Sequence, residues 1–160
     1  MDSKPKYSLA EIERRWLVNL TAVGDLSVLP YREIEDRYVA GSRLRLRRIN
    51  DPEKGTTFKF AKKYGKESGI SEAITNLYLT EEEYQILLVL PGRTIAKRRY
   101  AIAGGALDIY HCPREGLAVF EVEFEDEASA ERYEPPLFAI REVTDEHEFS
   151  GVSLAGANAV

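Results

Sequence analysis

The stretch Glu11-Ile12-Glu13-Arg14-Arg15-Trp16-Leu17-Val18 places two carboxylates two residues apart. In an extended strand successive side chains point to opposite faces, so Glu11, Glu13, Arg15 and Leu17 share one face, and Ile12, Arg14, Trp16 and Val18 the other. The β-branched and aromatic residues favour a strand over a helix. Taken alone, such a charged face is the water-facing half of an ordinary antiparallel sheet. The same feature recurs, however. Arg45 and Arg47 share a face, as do Lys59 and Lys63, Lys97 and Arg99, and Glu121 and Glu123. Like charges this close repel unless opposite charge stands between them. The opposing faces are apolar: Leu44 and Leu46, Phe58 and Phe60, and Phe120, Val122 and Phe124. Turned outward under covering helices, these apolar faces would leave the charged ones lining a cavity. Its basic rows suit a polyanion and its acidic rows a divalent metal, which prefers carboxylate oxygens.

The elements that must position these residues are mostly strands. "NLTAVGDLSVLP" is a mixed connection with room for a helical turn. Arg32 to Val39 alternates, and Gly41 turns the chain. "SRLRLRRI" is the clearest strand, followed by the turn "NDPEKG". "TTFKFAKKY" alternates again, "GKESG" turns, and "ISEAITNLYL" returns. "TEEEYQILLVLPG" is a helix, with Thr80 and Glu83 as a capping box and Pro91-Gly92 as its stop. "RTIAKRRYAIA", "ALDIYH" and "LAVFEVEF" are strands, with Gly104-Gly105 as a hairpin signal and "CPREG" as a turn. "DEASAERY" is a helix capped by Asp126 and ended by Pro135-Pro136. "LFAIREVT" is a short final strand, "DEHEFS" a last helical turn, and the tail "SLAGANAV" a loose end. About eight strands with few helices predict a mainly β (α+β) chain, an antiparallel barrel or sandwich with helices outside.

The chain of 160 residues predicts one domain spanning 1–160 with length enough for a core. Its 44% hydrophobic and 31% charged content marks a soluble folded protein, and its net charge of −5 argues against general nucleic-acid binding. Cys112 is the sole cysteine, so no internal disulfide forms, which suits a reducing compartment. No segment reads as a signal peptide or a membrane crossing, and the expected location is cytoplasmic. His111 and His147 lack a zinc-ligand spacing.

The ordered set of charged motifs resembles the CYTH domain, or triphosphate tunnel metalloenzyme, family over about residues 9 to 155. The family's N-terminal Glu-x-Glu-x-Lys reads Glu11-Ile12-Glu13-Arg14-Arg15 here. "LRLRR", "KRRY", "LDIY", "FEVEF" and "EVT" follow in the family's order. The resemblance implies an eight-stranded antiparallel β-barrel forming a charged tunnel. It implies metal-side carboxylates at Glu11, Glu13, Glu121 and Glu123, with Asp108 near them. It implies phosphate grips at Arg45, Arg47, Lys97 and Arg99, and leaving-group assistance from Tyr38.

Two departures stand out. Arg15 replaces the family's lysine, and arginine binds phosphate well but does not release a proton at any useful pH. Only Glu72 matches the Glu-x-Glu often found on the fifth strand. Lys63 is the tunnel lysine by alternation with Phe58 and Phe60, with Lys59 and Lys62 as alternatives. The resemblance implies hydrolysis of a triphosphate, inorganic triphosphate first, with Mg2+ or Mn2+ suited to all-oxygen ligation. Adenylate cyclase, thiamine triphosphatase and a non-catalytic polyphosphate-binding module are the alternatives. The expected partner is a triphosphate-containing small molecule, with no nucleic acid and no membrane, and the chain is expected as a monomer or homodimer.

Overall fold

The computed structural model describes residues 4–66 and 70–156. Eight strands form its centre: β1 (Leu9–Val18), β2 (Tyr31–Val39), β3 (Leu44–Asp51), β4 (Gly55–Lys63), β5 (Ser71–Leu79), β6 (Gly92–Ile102), β7 (Gly105–Tyr110) and β8 (Ala118–Glu123). They close into an antiparallel barrel in the order β5-β4-β3-β2-β6-β7-β8-β1, with β1 returning to β5. The alternating strands predict a barrel or a sandwich; the structure is the barrel that the resemblance implies. The short final strand, β9 (Ala139–Glu142), lies outside the ring beside β1. One edge of β1 is therefore shared. Leu9–Ile12 pair with β5 and Trp16–Val18 with β9, while Glu13–Leu17 on the other edge pair with β8.

The apolar faces turn outward and are covered. Trp16, Tyr100, Leu107, Phe120 and Val122 form one buried core, joined by Tyr133 and Phe138 from the segment after β8 and by Phe124. Each such side chain contributes roughly 1.5–3 kcal/mol on burial. That segment contains α2 (Glu127–Arg132), whose N-cap Asp126 accepts from the Ser129 amide as expected. Arg14, on the outward face of β1, ties the arm down. Its Nε and Nη2 donate to both Glu142 oxygens at 2.8 and 2.7 Å, and its Nη1 donates to the Ala130 carbonyl at 2.7 Å. On the far side, α1 (Glu81–Leu87) begins with the Thr80/Glu83 capping box and sets Tyr84 against Phe58, ring centroids 4.8 Å apart.

Two expectations about helices change. α1 ends at Leu87, short of Pro91-Gly92, and Gly92 already opens β6. Ile86 and Val89 are exposed, so only the Tyr84 face anchors the helix and nothing apolar extends it. The tail is not loose at its start. Gly151–Leu154 form α3, and Leu154 and Ala155 are buried against Ile95, Tyr110 and Val119. These three lie on inner faces, two residues from Lys97, Asp108 and Glu121 respectively, so α3 fills one end of the barrel. A four-residue helix shows no period in sequence, which is why composition alone left it as a tail. Residues 157–160, and 67–69 of the "GKESG" turn, lie outside the described residues.

Candidate functional site

The inner faces of the strands surround a cavity of about 460 Å³. Alternation brings Glu11, Glu13 and Arg15 of β1, Tyr38 of β2, Arg45 and Arg47 of β3, and Lys63 of β4 to its wall. Glu72 of β5, Lys97 and Arg99 of β6, and Glu121 and Glu123 of β8 complete the charged lining. Of the three candidate lysines, Lys63 is the one in the cavity. Lys59 sits over the Tyr78 ring at 4.9 Å, and Lys62, on the other face of β4, over Tyr64 at 5.1 Å.

One part of the wall is a set of cations braced by buried carboxylates. Arg47 donates from Nε and Nη2 to the two oxygens of Asp36 at 2.6 and 2.8 Å, and Arg45 Nε lies 3.7 Å from the same carboxylate. Against the cost of burial, Arg47 and Arg45 hold Asp36 far below the usual carboxylate range. Asp108, 0% exposed, accepts from Lys97 Nζ at 2.5 Å and from Arg99 Nε and Nη2 at 2.6 Å each. Arg99 Nη2 also donates to Glu121 at 2.6 Å. Burial pushes Glu121 up, but Lys97, Arg99 and Arg15 overcome it and hold Glu121 low. For Lys97, burial with Arg99 and Arg47 outweighs Asp108 and pulls it below the ordinary lysine value.

The other part is carboxylate-rich. The β1–β5 register sets Glu11 across from Glu72, and the β1–β8 register sets Glu13 across from Glu123. A single ammonium serves the first three: Lys63 Nζ lies 2.5 Å from Glu11 Oε2, 3.6 Å from Glu72 Oε2 and 3.9 Å from Glu13 Oε1. Burial, and then the charge of Glu121, raise Glu13 above the usual range despite Lys63. Glu72 Oε1 accepts from the Gly65 amide at 3.0 Å, which holds the end of the β4–β5 loop. Glu123 is exposed at the rim.

Tyr38 is half-buried, and loss of solvent around its phenol followed by the charge of Asp36 raises it, so the hydroxyl keeps its proton. The ring abuts Gly151; a Cβ there would collide with the Tyr38 hydroxyl. Arg15 reaches the same segment, its Nη1 donating to the Phe149 carbonyl at 2.8 Å and its backbone amide to Thr144 Oγ1 at 3.0 Å. The segment Thr144–Val152 thus forms part of the cavity wall.

Asp108 lies beside Glu121, since Arg99 Nη2 donates to both at 2.6 Å. It does not line the cavity, and both its oxygens are held by Lys97 and Arg99. Among the described residues, no three Asp, Glu, His or Cys side chains converge into a metal-binding group, because Lys63 and Arg99 stand among the carboxylates. The sequence reading missed Asp36 and Tyr110. Each had a signal: Asp36 is two residues from Tyr38 and Tyr110 two from Asp108, so each shares the inner face. The rule that close like charges need an opposite partner also called for an acid between Arg45 and Arg47.

Two buried nitrogens on the cavity residues make no hydrogen bond: Arg15 Nε and Arg45 Nε. Both are cationic donors set only loosely against acids, 3.8 Å from Glu13 and 3.7 Å from Asp36. Buried polar groups left this way cost on the order of 1–3 kcal/mol each and mark where a ligand is received.

No family profile matches the chain. An inorganic triphosphatase of Nitrosomonas europaea is 29% identical over 154 residues, covering 92% of this chain and 97% of that protein. A crystal structure of an inorganic triphosphatase superimposes with a TM-score of 0.57 at 23% identity, covering 94% of this chain and 95% of that one. The crystal structure of a hypothetical protein gives the same TM-score at 25% identity, covering 94% and 99%.

Proposed function

We propose that this chain hydrolyses inorganic triphosphate to pyrophosphate and phosphate within the barrel. The observation that carries the reading is the cavity itself: Arg45, Arg47, Lys97 and Arg99 converge inside a closed barrel, with the buried Arg45 Nε still free to donate. A solvated sheet face would not bury these cations or gather them on one cavity. The choice of inorganic triphosphate rests on the similarity to the Nitrosomonas europaea enzyme.

Phosphoryl transfer needs little covalent help; positioning and neutralisation of phosphate oxygens dominate it. Arg47 and Arg99 are already held in place by paired hydrogen bonds, so they spend little side-chain entropy on gripping phosphate. Water attacks the terminal phosphorus, the bridging P–O bond breaks, and pyrophosphate leaves. Tyr38, kept protonated by loss of solvent around its phenol, is the neutral donor toward that leaving oxygen. Arg15 contributes charge and fixes the Phe149 segment, and does not move a proton.

The donor set fits a hard divalent cation. Glu11, Glu13, Glu72 and Glu123 offer oxygen only, and the group already attracts a cation in Lys63, whose Nζ lies 2.5 Å from Glu11 Oε2. Mg2+ or Mn2+ held there would neutralise phosphate charge and polarise the reacting group. Asp108 is assigned the counter-charge of Lys97 and Arg99 instead of a ligand's role.

The test is product analysis. Tripolyphosphate, ATP and thiamine triphosphate are each incubated with the protein under chelator, Mg2+ and Mn2+. Orthophosphate from tripolyphosphate, dependent on metal, is expected. Cyclic AMP from ATP would replace this reading with a cyclase, and binding without any product would make the chain a polyphosphate-binding module.

A further inference from the structure

Lys63 stands where a metal's charge is wanted. The three carboxylates around it come from two strands whose register forces them together, Glu11 opposite Glu72 and Glu13 one step along the same face. Lys63, with the Arg15 guanidinium 3.8 Å from Glu13, gives two cations against three carboxylates, which leaves the cluster under-compensated when all three are ionised. Only the contact to Glu11 is close at 2.5 Å, while those to Glu72 and Glu13 are loose at 3.6 and 3.9 Å. Lys63 is also the last residue of β4, followed by the loop that Gly65 anchors to Glu72. Its four-carbon stem gives the ammonium reach that the braced arginines lack.

We propose that Lys63 is a resident cation that holds this carboxylate cluster together in the metal-free cavity and transfers to the phosphates of the incoming substrate, so that divalent metal and triphosphate enter as one complex. The inference rests on the reading that both meet in this cavity. While the ammonium lies among the carboxylates, a divalent cation entering there meets like charge and competes for the same oxygens. Triphosphate relieves the competition by offering Lys63 other oxygens. Metal and triphosphate then favour each other's binding, and by linkage each strengthens the other by the same factor. The substrate the cavity selects is accordingly a metal–triphosphate complex, and free metal is bound poorly. The same placement explains why the carboxylates do not form a ready metal group in this conformation.

Calorimetric titration of Mn2+ into the metal-free full chain decides the matter, with no phosphate and then with a non-hydrolysable imido analogue of triphosphate. Wild type is expected to bind Mn2+ weakly alone and more tightly with the analogue. Lys63→Met should bind Mn2+ alone by about tenfold or more tighter, the effect of removing a neighbouring like charge, and should lose much of the coupling. Lys63→Arg, which keeps the charge, should stay closer to wild type. Melting curves in chelator establish that each variant folds, and Lys63→Gln serves if the methionine variant does not. If Lys63→Met or Lys63→Gln binds Mn2+ no tighter than wild type, while Glu11→Gln weakens it in both backgrounds, the Lys63 inference falls and the metal site stands. If Mn2+ binds none of the proteins, with or without the analogue, the functional reading falls and takes the inference with it.

Discussion

The two parts of the cavity wall carry opposite charge and are built by opposite rules. On the basic part, two buried acids brace the cations: Asp36 clamps Arg47 with Arg45 3.7 Å away, and Asp108 clamps Lys97 and Arg99. On the acidic part, Glu11, Glu13 and Glu72 share one lysine at mixed distances. The first arrangement is stiff, and its four cations outnumber Asp36, Asp108 and Glu121 before any ligand arrives. The second is under-compensated and open to exchange. A site that must hold one fixed shape for phosphate and accept a variable cation benefits from this division, because preorganised charges lose little freedom on binding.

The largest break of the contrast should come from the stiff part. Asp108→Ala strands Lys97 and Arg99 without their acid. Breaking a buried pair costs about 3–5 kcal/mol, so denaturant unfolding should show a large loss. A loss comparable to that of a surface substitution would mean that water, not Asp108, balances those cations.

Removing a grip instead of its brace should cost binding more than stability. Arg45→Ala is expected to weaken association of the imido analogue by about 1.5–3 kcal/mol, the worth of a charge-assisted hydrogen bond. Wild-type affinity in this variant would remove Arg45 from the phosphate-binding set.

pH separates the two parts by sign. In chelator, Glu13 has a folded value raised above its ordinary 4.5 by burial and by Glu121. Its ionisation therefore weakens the fold at neutral pH, and stability should rise slightly as pH falls through the raised value toward 4.5. Asp36 behaves oppositely. Its folded value lies below its ordinary 3.8, so its contribution is fully present above that value and is lost as pH falls beneath it. Melting temperature against pH should show a shallow rise and then a steep fall. Glu13→Gln should remove the rise and spare the fall; persistence of the rise assigns it to another group.

The smallest effect expected is that of Arg15→Lys. Lysine keeps the charge and loses the fork that reaches Phe149, a change of about 0.5–1.5 kcal/mol for one hydrogen bond. A larger loss in thermal unfolding would show that this contact holds more of the C-terminal segment than α3 alone.

Most of the site was legible because a strand's period of two is short. "LRLRR" assigns Arg45 and Arg47 inward and Leu44 and Leu46 outward from local pattern alone, and "FEVEF" does the same for Glu121 and Val122. Pairing across the barrel was not legible. That Asp36 faces Arg47, and Asp108 faces Arg99, depends on the β2–β3 and β6–β7 registers, which no local pattern encodes. Asp36 was hidden further by its setting, since "REIEDRY" carries mixed signs on both faces. The role of Leu154 and Ala155 depends on a hole in the barrel end, visible only after eight strands have closed.

The shared edge of β1 bears on how the chain folds. β1 precedes its partners β8 and β9 by most of the barrel's length, and Arg14 meets Glu142 across 128 positions. A topology dominated by such distant pairings folds on the order of milliseconds to seconds. Until then β1 waits with its β8 edge unpaired and with Trp16 uncovered. Glu11, Glu13, Arg14 and Arg15 make that waiting strand a poor template for pairing with other chains. Three of these charges later face the cavity, so Glu11, Glu13 and Arg15 also guard the unfolded polypeptide against aggregation.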